Sequence, residues 1–431
     1  MTKEQASTVL SQAKILGAKN VTVTGGESLL NPDWKDILNI SNEMGFRLFF
    51  YTNGILLNEM NAEFLASAKN LVEIQISLYA MDENIHDSIT GVKGSCSKTK
   101  NAINLLRERN IPLFISCPVM KENKTAVFDV MRWCDDNNIK SCADIFIFGE
   151  SDYTGNNLKH RLSLEDLQDF FDETMKANAR LSYVWGKGYG NQNLSEIEFY
   201  GEAGHSLLVS GDGTVYPAIG WYEPLGNIAT DSLKGIFENH PLLKELRTIH
   251  ASDIAECKNC KYSDFCDFCF SPHITANNGE LRKLDKDYCK FVKIRKEFAF
   301  VRDLINYLQS VIGKSVVKTE KTNIYSIEDI GEFKIETNTN DFNYSICSSK
   351  NSNNGFSFEV DEVETDVVTI TPVDKTTLKR NSTYVIVRKS DSNNFIFYGS
   401  DGKKIAEEKL FAELENNYNE YNNALKKLKN K

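Results

Sequence analysis

The chain has 431 residues, 41% of them hydrophobic and 26% charged, and carries a net charge of −10. A length beyond the roughly 250–300 residues at which one core stops growing implies two or three domains. The acidic balance disfavours a nucleic-acid binder, which needs clustered Lys and Arg, and no run approaches the ~20 apolar residues that cross a bilayer.

In chain order, Thr2-Lys-Glu-Gln5 has the form of a capping box. Apolar Ala6, Val9, Leu10, Ala13 and Leu16 follow at helical spacing, with Gly17 placed to end the helix. Val21-Thr-Val-Thr-Gly-Gly-Glu-Ser-Leu-Leu30 comes next. A β-branched run that passes into two glycines and a carboxylate is the pattern of a buried parallel strand ending where backbone must approach a ligand. Helix Trp34–Met44 then leads to strand Arg47–Gly54, helix Asn58–Ala68 to strand Val72–Leu78, helix Lys98–Arg109 to strand Pro112–Val119, and helix Ala126–Asn137 to strand Asp144–Phe148. This alternation predicts an α/β fold with a parallel sheet or open barrel. Ligands in such folds sit at the carboxyl ends of the strands, where Gly25, Gly26, Glu27, Asn53, Ser77 and Ser116 fall.

Ser163-Leu-Glu-Asp166 opens another capped helix, and Trp185-Gly-Lys-Gly-Tyr-Gly190 reads as a flexible connector rather than a phosphate loop. Ser206 to Tyr216 reads as a hairpin around Gly-Asp-Gly. Ten cysteines without a signal peptide point to the reducing cytoplasm. Cys96, Cys117, Cys134, Cys142 and Cys347 are scattered and read as small buried apolar residues. Cys257, Cys260, Cys266, Cys269 and Cys289 are crowded and predict a metal site, either tetrahedral zinc or an iron–sulfur cluster. Only five residues separate the two Cys-x-x-Cys pairs, which leans toward iron.

Further on, the stripes Ile294, Phe298, Val301, Ile305, Leu308, Ile312 and Phe411, Leu414, Tyr418, Tyr421, Leu425, Leu428 mark two helices whose three-and-four spacing suits either a zipped or dimerising pair or ordinary core packing, the latter being the expectation. Lys426 to Lys429 forms a solvated helix end. The runs Phe356–Val360, Val367–Thr371 and Tyr384–Val387 mark a small, mostly β domain with no catalytic constellation.

Together, Thr24-Gly-Gly-Glu-Ser-Leu-Leu30, Tyr51-Thr-Asn-Gly54, Ile76-Ser-Leu78, His86-Asp-Ser-Ile-Thr-Gly91, Gly94-Ser-Cys96 and the cysteine-rich segment resemble a radical S-adenosylmethionine enzyme with a C-terminal SPASM domain, of the peptide-maturase type. The resemblance covers about residues 1 to 291 and implies a partial parallel (β/α) barrel over 1–184, a SPASM iron–sulfur domain over 185–291, and a helix plus small β domain over 292–431. It implies S-adenosylmethionine on the Gly25-Gly26-Glu27 backbone, with Ser77 near the ribose. The cofactor, cleaved by one electron, supplies a 5′-deoxyadenosyl radical that removes a substrate hydrogen. The implied partners are a precursor peptide and an electron donor such as a flavodoxin or ferredoxin, with no nucleic acid and no membrane.

Two departures qualify this. The family's catalytic [4Fe-4S] cluster is held by C-x-x-x-C-x-x-C after the first barrel strand, and this chain has no such trio. Without that first strand, Val21 to Thr24 forms an exposed apolar edge, so Met1 is expected to be an internal start of a longer protein. In the SPASM segment, Gly201 and Ala218 stand where relatives carry cysteines of a first auxiliary cluster, while Cys257, Cys260, Cys266 and Cys289 match the second. Cys269 is then a remnant or spare ligand, and Ile219 replaces the acid of sulfatase-maturing relatives. The expectation is a peptide-modifying enzyme forming a thioether or similar crosslink. The alternative is a catalytically inactive remnant or peptide-binding adaptor with one structural metal site.

Overall fold

Five short strands, β1 (Asn20–Val23), β2 (Arg47–Thr52), β3 (Leu71–Ser77), β4 (Leu113–Ser116) and β5 (Lys140–Cys142), pair in parallel and in sequence order. Helices α1 (Lys3–Ile15), α2 (Trp34–Glu43), α3 (Glu59–Ala66), α4 (Glu83–Thr90), α5 (Ser95–Glu108) and α6 (Val127–Asp136) alternate with them. This is the partial-barrel α/β architecture expected from the sequence. The computed structural model describes residues 1–150, 152–177, 193–260, 262–263, 266–312, 315–318, 324–327, 331–338, 344–346, 356–358, 365–372, 384–389, 395–398, 404–406 and 409.

Side-chain alternation gives the sheet two unlike faces. Leu48, Phe50, Ile74, Ile76 and Ile115 are completely buried, each contributing about 1.5–3 kcal/mol of transfer free energy. Their neighbours of opposite parity, Phe49, Tyr51, Glu73, Gln75, Ser77 and Phe114, are only half-buried and mostly polar. The sheet is therefore covered on one face and open on the other. β1 differs from the buried strand expected. Among the described residues it pairs with β2 alone, with Asn20 and Thr22 exposed and Val21 and Val23 half-buried.

The fifth strand also departs from expectation. It ends at Cys142, and Asp144–Phe148 is not a strand although its apolar alternation is the stronger signal. One ladder bond continues, from Val119 N–H to the Asp144 carbonyl. Beyond it side chains take over: Arg161 Nε donates to the Ile147 carbonyl, Asn157 to that of Phe148, and Gly149 N–H donates to Thr275 Oγ1. The local signals fared better. Thr2 and Gln5 form the reciprocal capping box, Gly17 has φ +85° just past α1, and Leu208–Val209 pairs antiparallel with Thr214–Tyr216 around Gly-Asp-Gly.

The described residues of Met1–Phe170 and Gln192–Val292 form one compact unit. Its second core gathers Phe199, Tyr200, Trp221, Leu243, Leu246 and Ile274, with Val9, Ala13 and Leu16 of α1 packed against it. Gln12 accepts from Leu233 N–H, so α1 belongs to the packing of a segment more than two hundred residues away. The described residues of Phe171–Asn178 and Lys293–Lys431 form the other unit. It contains most of helix Lys286–Ile312 and an antiparallel sheet in the order 404–405, 395–398, 384–389, 365–372, 331–338, 324–327, 316–318. The loop Trp185–Gly190, Cys347 and the stripe Phe411–Leu428 lie outside the described residues. No helix among the described residues is long and apolar enough to cross a membrane.

Two stability predictions arise. Gly54 has φ +78°, and an added Cβ would sit 3.0 Å from the Cβ of Ala102. Gly54→Ala should therefore destabilise the folded chain by about 1–3 kcal/mol in urea denaturation. His273 is 2% exposed, stacks on Phe199 and accepts from Asp285 N–H, and desolvation pushes its pKa down to about 4. The unfolded state then binds more protons between about 4 and the ordinary 6.5, so stability falls as pH drops through that window. At about 1.4 kcal/mol per pH unit the loss is on the order of 3 kcal/mol. Urea midpoints followed across that range should show a shallower acid slope for His273→Phe.

Candidate cofactor site

The loop after β1 is built around one carboxylate. Glu27 Oε1 accepts from Thr52 Oγ1 at 2.7 Å and from Leu29 N–H at 2.9 Å, and Oε2 accepts from Asn53 N–H at 2.8 Å. Charge-assisted bonds of this kind are the stronger class, and here they lock the β1 loop to the end of β2. Thr52 Oγ1 accepts in turn from Gly54 N–H, and Asn53 Oδ1 from Ile55 N–H. Glu27 is thus an internal brace whose side chain is already committed.

Gly25 and Gly26 are the reverse. Both are exposed, Gly25 has φ +147°, and a Cβ at either would meet nothing within 4 Å. Among the described residues neither spends its N–H or C=O on a hydrogen bond. Beside them Ser28 Oγ is buried without a partner. Free backbone donors and acceptors, open space and an unsatisfied hydroxyl fit a small ligand with both ammonium and carboxylate groups, as the methionine end of S-adenosylmethionine has.

The remaining expected residues share the open face. Ser77 pairs with Ser116 and Ser116 with Cys142 across β3, β4 and β5, and Asn53 stands one residue beyond the Thr52–Ile76 pair. All six site residues therefore lie at the carboxyl ends of the strands. Residues not singled out from the sequence join them. Burial, then Glu73, Glu202 and Cys142, raises the Tyr51 pKa, so groups from β3, β5 and helix Gly201–His205 act electrostatically on this β2 residue. Desolvation raises Glu73 against the opposing effect of Lys140, and it raises Asp144, beside Cys142 and Ser116. Asp144 is itself an exposed residue. The period-two spacing of Tyr51, Glu73 and Gln75 was the available signal.

The cysteine segment divides. Burial, then the thiols of Cys260 and Cys289, pushes Cys257 up to about 12. Burial, then Cys260 and Asp285, pushes Cys289 up to about 11, although that residue is exposed, which puts its sulfur on the rim of the group. Cys257, Cys260 and Cys289 thus lie within electrostatic reach of one another. Cys269, also at about 11, is raised by burial and then by Asp267 and Glu202, not by the other thiols. Among the described residues no three His, Cys, Asp or Glu side chains converge closely enough to hold a metal ion. The soft donor set suits an iron–sulfur cluster or zinc, and loading would have to displace thiol protons.

The family model of the Radical SAM superfamily matches residues 1–134. The sporulation killing factor maturation protein SkfB of Bacillus subtilis is 27% identical over 243 residues, covering 55% of this chain and 57% of its own length. The subtilosin biosynthesis protein AlbA of the same organism is 26% identical over 248 residues, covering 56% and 53%. The PqqA peptide cyclase of Gluconobacter oxydans is 28% identical over 172 residues, covering 39% and 46%. The chain thus spans about half the length of the curated relatives it matches. Among solved structures it is similar to native anSMEcpe with bound AdoMet and the Cp18Cys peptide, at TM-score 0.51 and 21% identity, covering 72% of this chain and 92% of that one. It is also similar to Streptococcus suis SuiB bound to precursor peptide SuiA, at TM-score 0.50 and 18% identity, covering 64% and 67%. The twin-glycine motif and strands β1 to β4 of the sheet that carries it lie within residues 1–134, the segment that matches the Radical SAM superfamily model.

Proposed function

We propose that this chain is part of a radical S-adenosylmethionine enzyme that modifies a ribosomally made peptide, forming a thioether or similar crosslink. The observation that carries the reading is the pair of free glycines held at the carboxyl edge of a parallel sheet by the Glu27 brace, inside the matched domain. The names of the relatives, a maturation protein and a peptide cyclase, support the substrate class.

In this reading the backbone carbonyls and amides of Gly25 and Gly26 receive the methionine ammonium and carboxylate. Glu27 keeps its three hydrogen bonds and holds the loop rather than the ligand. Ser77 and Ser116 present hydroxyls to the ribose, and Asn53, its Oδ1 already used, offers Nδ2. The half-buried face of β2 to β5 limits water around the reacting groups. S-adenosylmethionine held there would, on taking up one electron, release methionine and supply a 5′-deoxyadenosyl radical for hydrogen abstraction. Cys257, Cys260, Cys266 and Cys289 hold an auxiliary [4Fe-4S] cluster, with Cys269 outside it. No residue of this chain is assigned to the catalytic cluster. A flavodoxin or ferredoxin is the proposed electron donor, the cytoplasm the proposed compartment, and 1–184, 185–291 and 292–431 the proposed domains. The lack of a C-x-x-x-C-x-x-C trio favours one second reading, a peptide-binding adaptor that keeps a metal site but cleaves no cofactor.

Glu27→Gln leaves an amide donor facing a backbone or hydroxyl donor, and should weaken S-adenosylmethionine binding at least about tenfold by calorimetry. Unchanged affinity would remove the brace from the site. For the metal, anaerobic purification of the longest reading frame, followed by iron and zinc analysis, should show iron that falls in Cys257→Ser and Cys289→Ser and persists in Cys269→Ser. Cofactor cleavage by the same sample separates enzyme from adaptor.

A further inference from the structure

Helix α5 starts without a cap of its own. Its N-cap position is Gly94, at φ +79°, which has no side chain to accept the first amides. Such acceptors are normally supplied locally by Ser, Thr, Asp or Asn. Here the carboxylate arrives from seven residues upstream. Asp87, on α4, accepts from Gly94 N–H, from Cys96 N–H at 2.9 Å and from Ser95 Oγ at 2.9 Å. Thr90 and Ser95 hydroxyls lie 2.7 Å apart alongside. These bonds, led by the Cys96 and Gly94 amides, hold the Asp87 pKa below the usual carboxylate range.

The helix fastened in this way reaches the cofactor loops. Thr99, 1% exposed, donates its hydroxyl to the Asn53 carbonyl at 2.8 Å, and Ala102 is the surface against which Gly54 closes. Lys100 Nζ donates to the Met81 carbonyl at 2.7 Å, and Cys96 Sγ to the Ala80 carbonyl at 3.7 Å. On α4, buried His86 accepts from Tyr79 N–H at 3.3 Å. The loop after β2 is therefore tied to α5, and the loop after β3 to both α4 and α5. Asn53 is held from two sides, its N–H by Glu27 and its carbonyl by Thr99.

We propose that Asp87 is a positioning residue for the cofactor site: by capping α5 from a distance it fixes Asn53 and the loop after β3, and so sets affinity for the sulfonium nucleotide. The proposal rests on the functional reading above for the identity of the ligand, and on geometry alone for the bracing. It also links the His86-Asp-Ser-Ile-Thr-Gly91 and Gly94-Ser-Cys96 motifs, since the first supplies the carboxylate and the second the amides it holds.

The test uses the full chain, with S-adenosylmethionine as the probe in calorimetry and amide hydrogen exchange as a readout that needs no ligand. Asp87→Ala and Thr99→Val should each weaken S-adenosylmethionine binding about tenfold, and the double variant little further, because both cut the same chain of contacts. Asp87→Asn, which keeps one acceptor oxygen, should recover part of the affinity. Exchange at Asn53, Gly54 and Tyr79 should speed up about tenfold in Asp87→Ala while Val119, beyond β4, stays protected. A merely structural role would speed exchange everywhere. Affinity within twofold of wild type in Asp87→Ala, or losses that multiply in the double variant, would overturn the proposal. Should the wild type fail to bind the nucleotide, the functional reading falls, and the local exchange pattern still decides whether Asp87 braces the loops.

Discussion

The bonds from the Glu27 carboxylate to Thr52 and Asn53 hold the loop after β1 to the carboxyl end of β2. A parallel sheet has no hairpin to fix the relation between neighbouring strand ends, because each connection leaves through a helix. A short-range anchor at that end is therefore needed, and a carboxyl that collects one donor from its own loop and two from the end of β2 supplies it. Its commitment also frees the two preceding glycines from any structural bonding. What this loop leaves unbonded among the described residues is backbone, while its carboxylate is spent on bracing.

Much of this was legible because it is local. A cap three residues from its partner, a glycine past a helix end and a two-glycine hairpin are decided by nearest neighbours, and Thr2, Gly17 and Gly211 to Gly213 behaved as their residue types require. The limits of the fifth strand were not legible. Ile145, Phe146, Ile147 and Phe148 carry more strand propensity than Lys140, Ser141 and Cys142, yet Arg161, Asn157 and Thr275 claim their backbone groups from distant points of the chain. Tertiary hydrogen bonding overrode the local preference.

The site was legible in outline and not in its internal division. Spacing put five thiols in one short segment but carries no information on which sulfurs face each other, and the electrostatic neighbourhood separates Cys269 from Cys257, Cys260 and Cys289. The motif around Asp87 was noticed as a string of residue types. Its physical content, a carboxylate that reaches across a turn to a helix whose own cap is glycine, depends on a backbone path that the string does not specify.

The uncovered side of the first sheet carries the carboxyls of Glu73 and, past its end, Asp144, with Glu202 acting on the same Tyr51, against the ammonium of Lys140, while buried Cys142 stays a neutral thiol. Coulomb forces over a half-buried face are screened less than over a fully exposed one, so a guest bearing positive charge would be retained more firmly than one that has lost it. Chemistry that turns a cation into neutral fragments would then weaken its own hold on the pocket, and departure of the spent molecule would need no moving part.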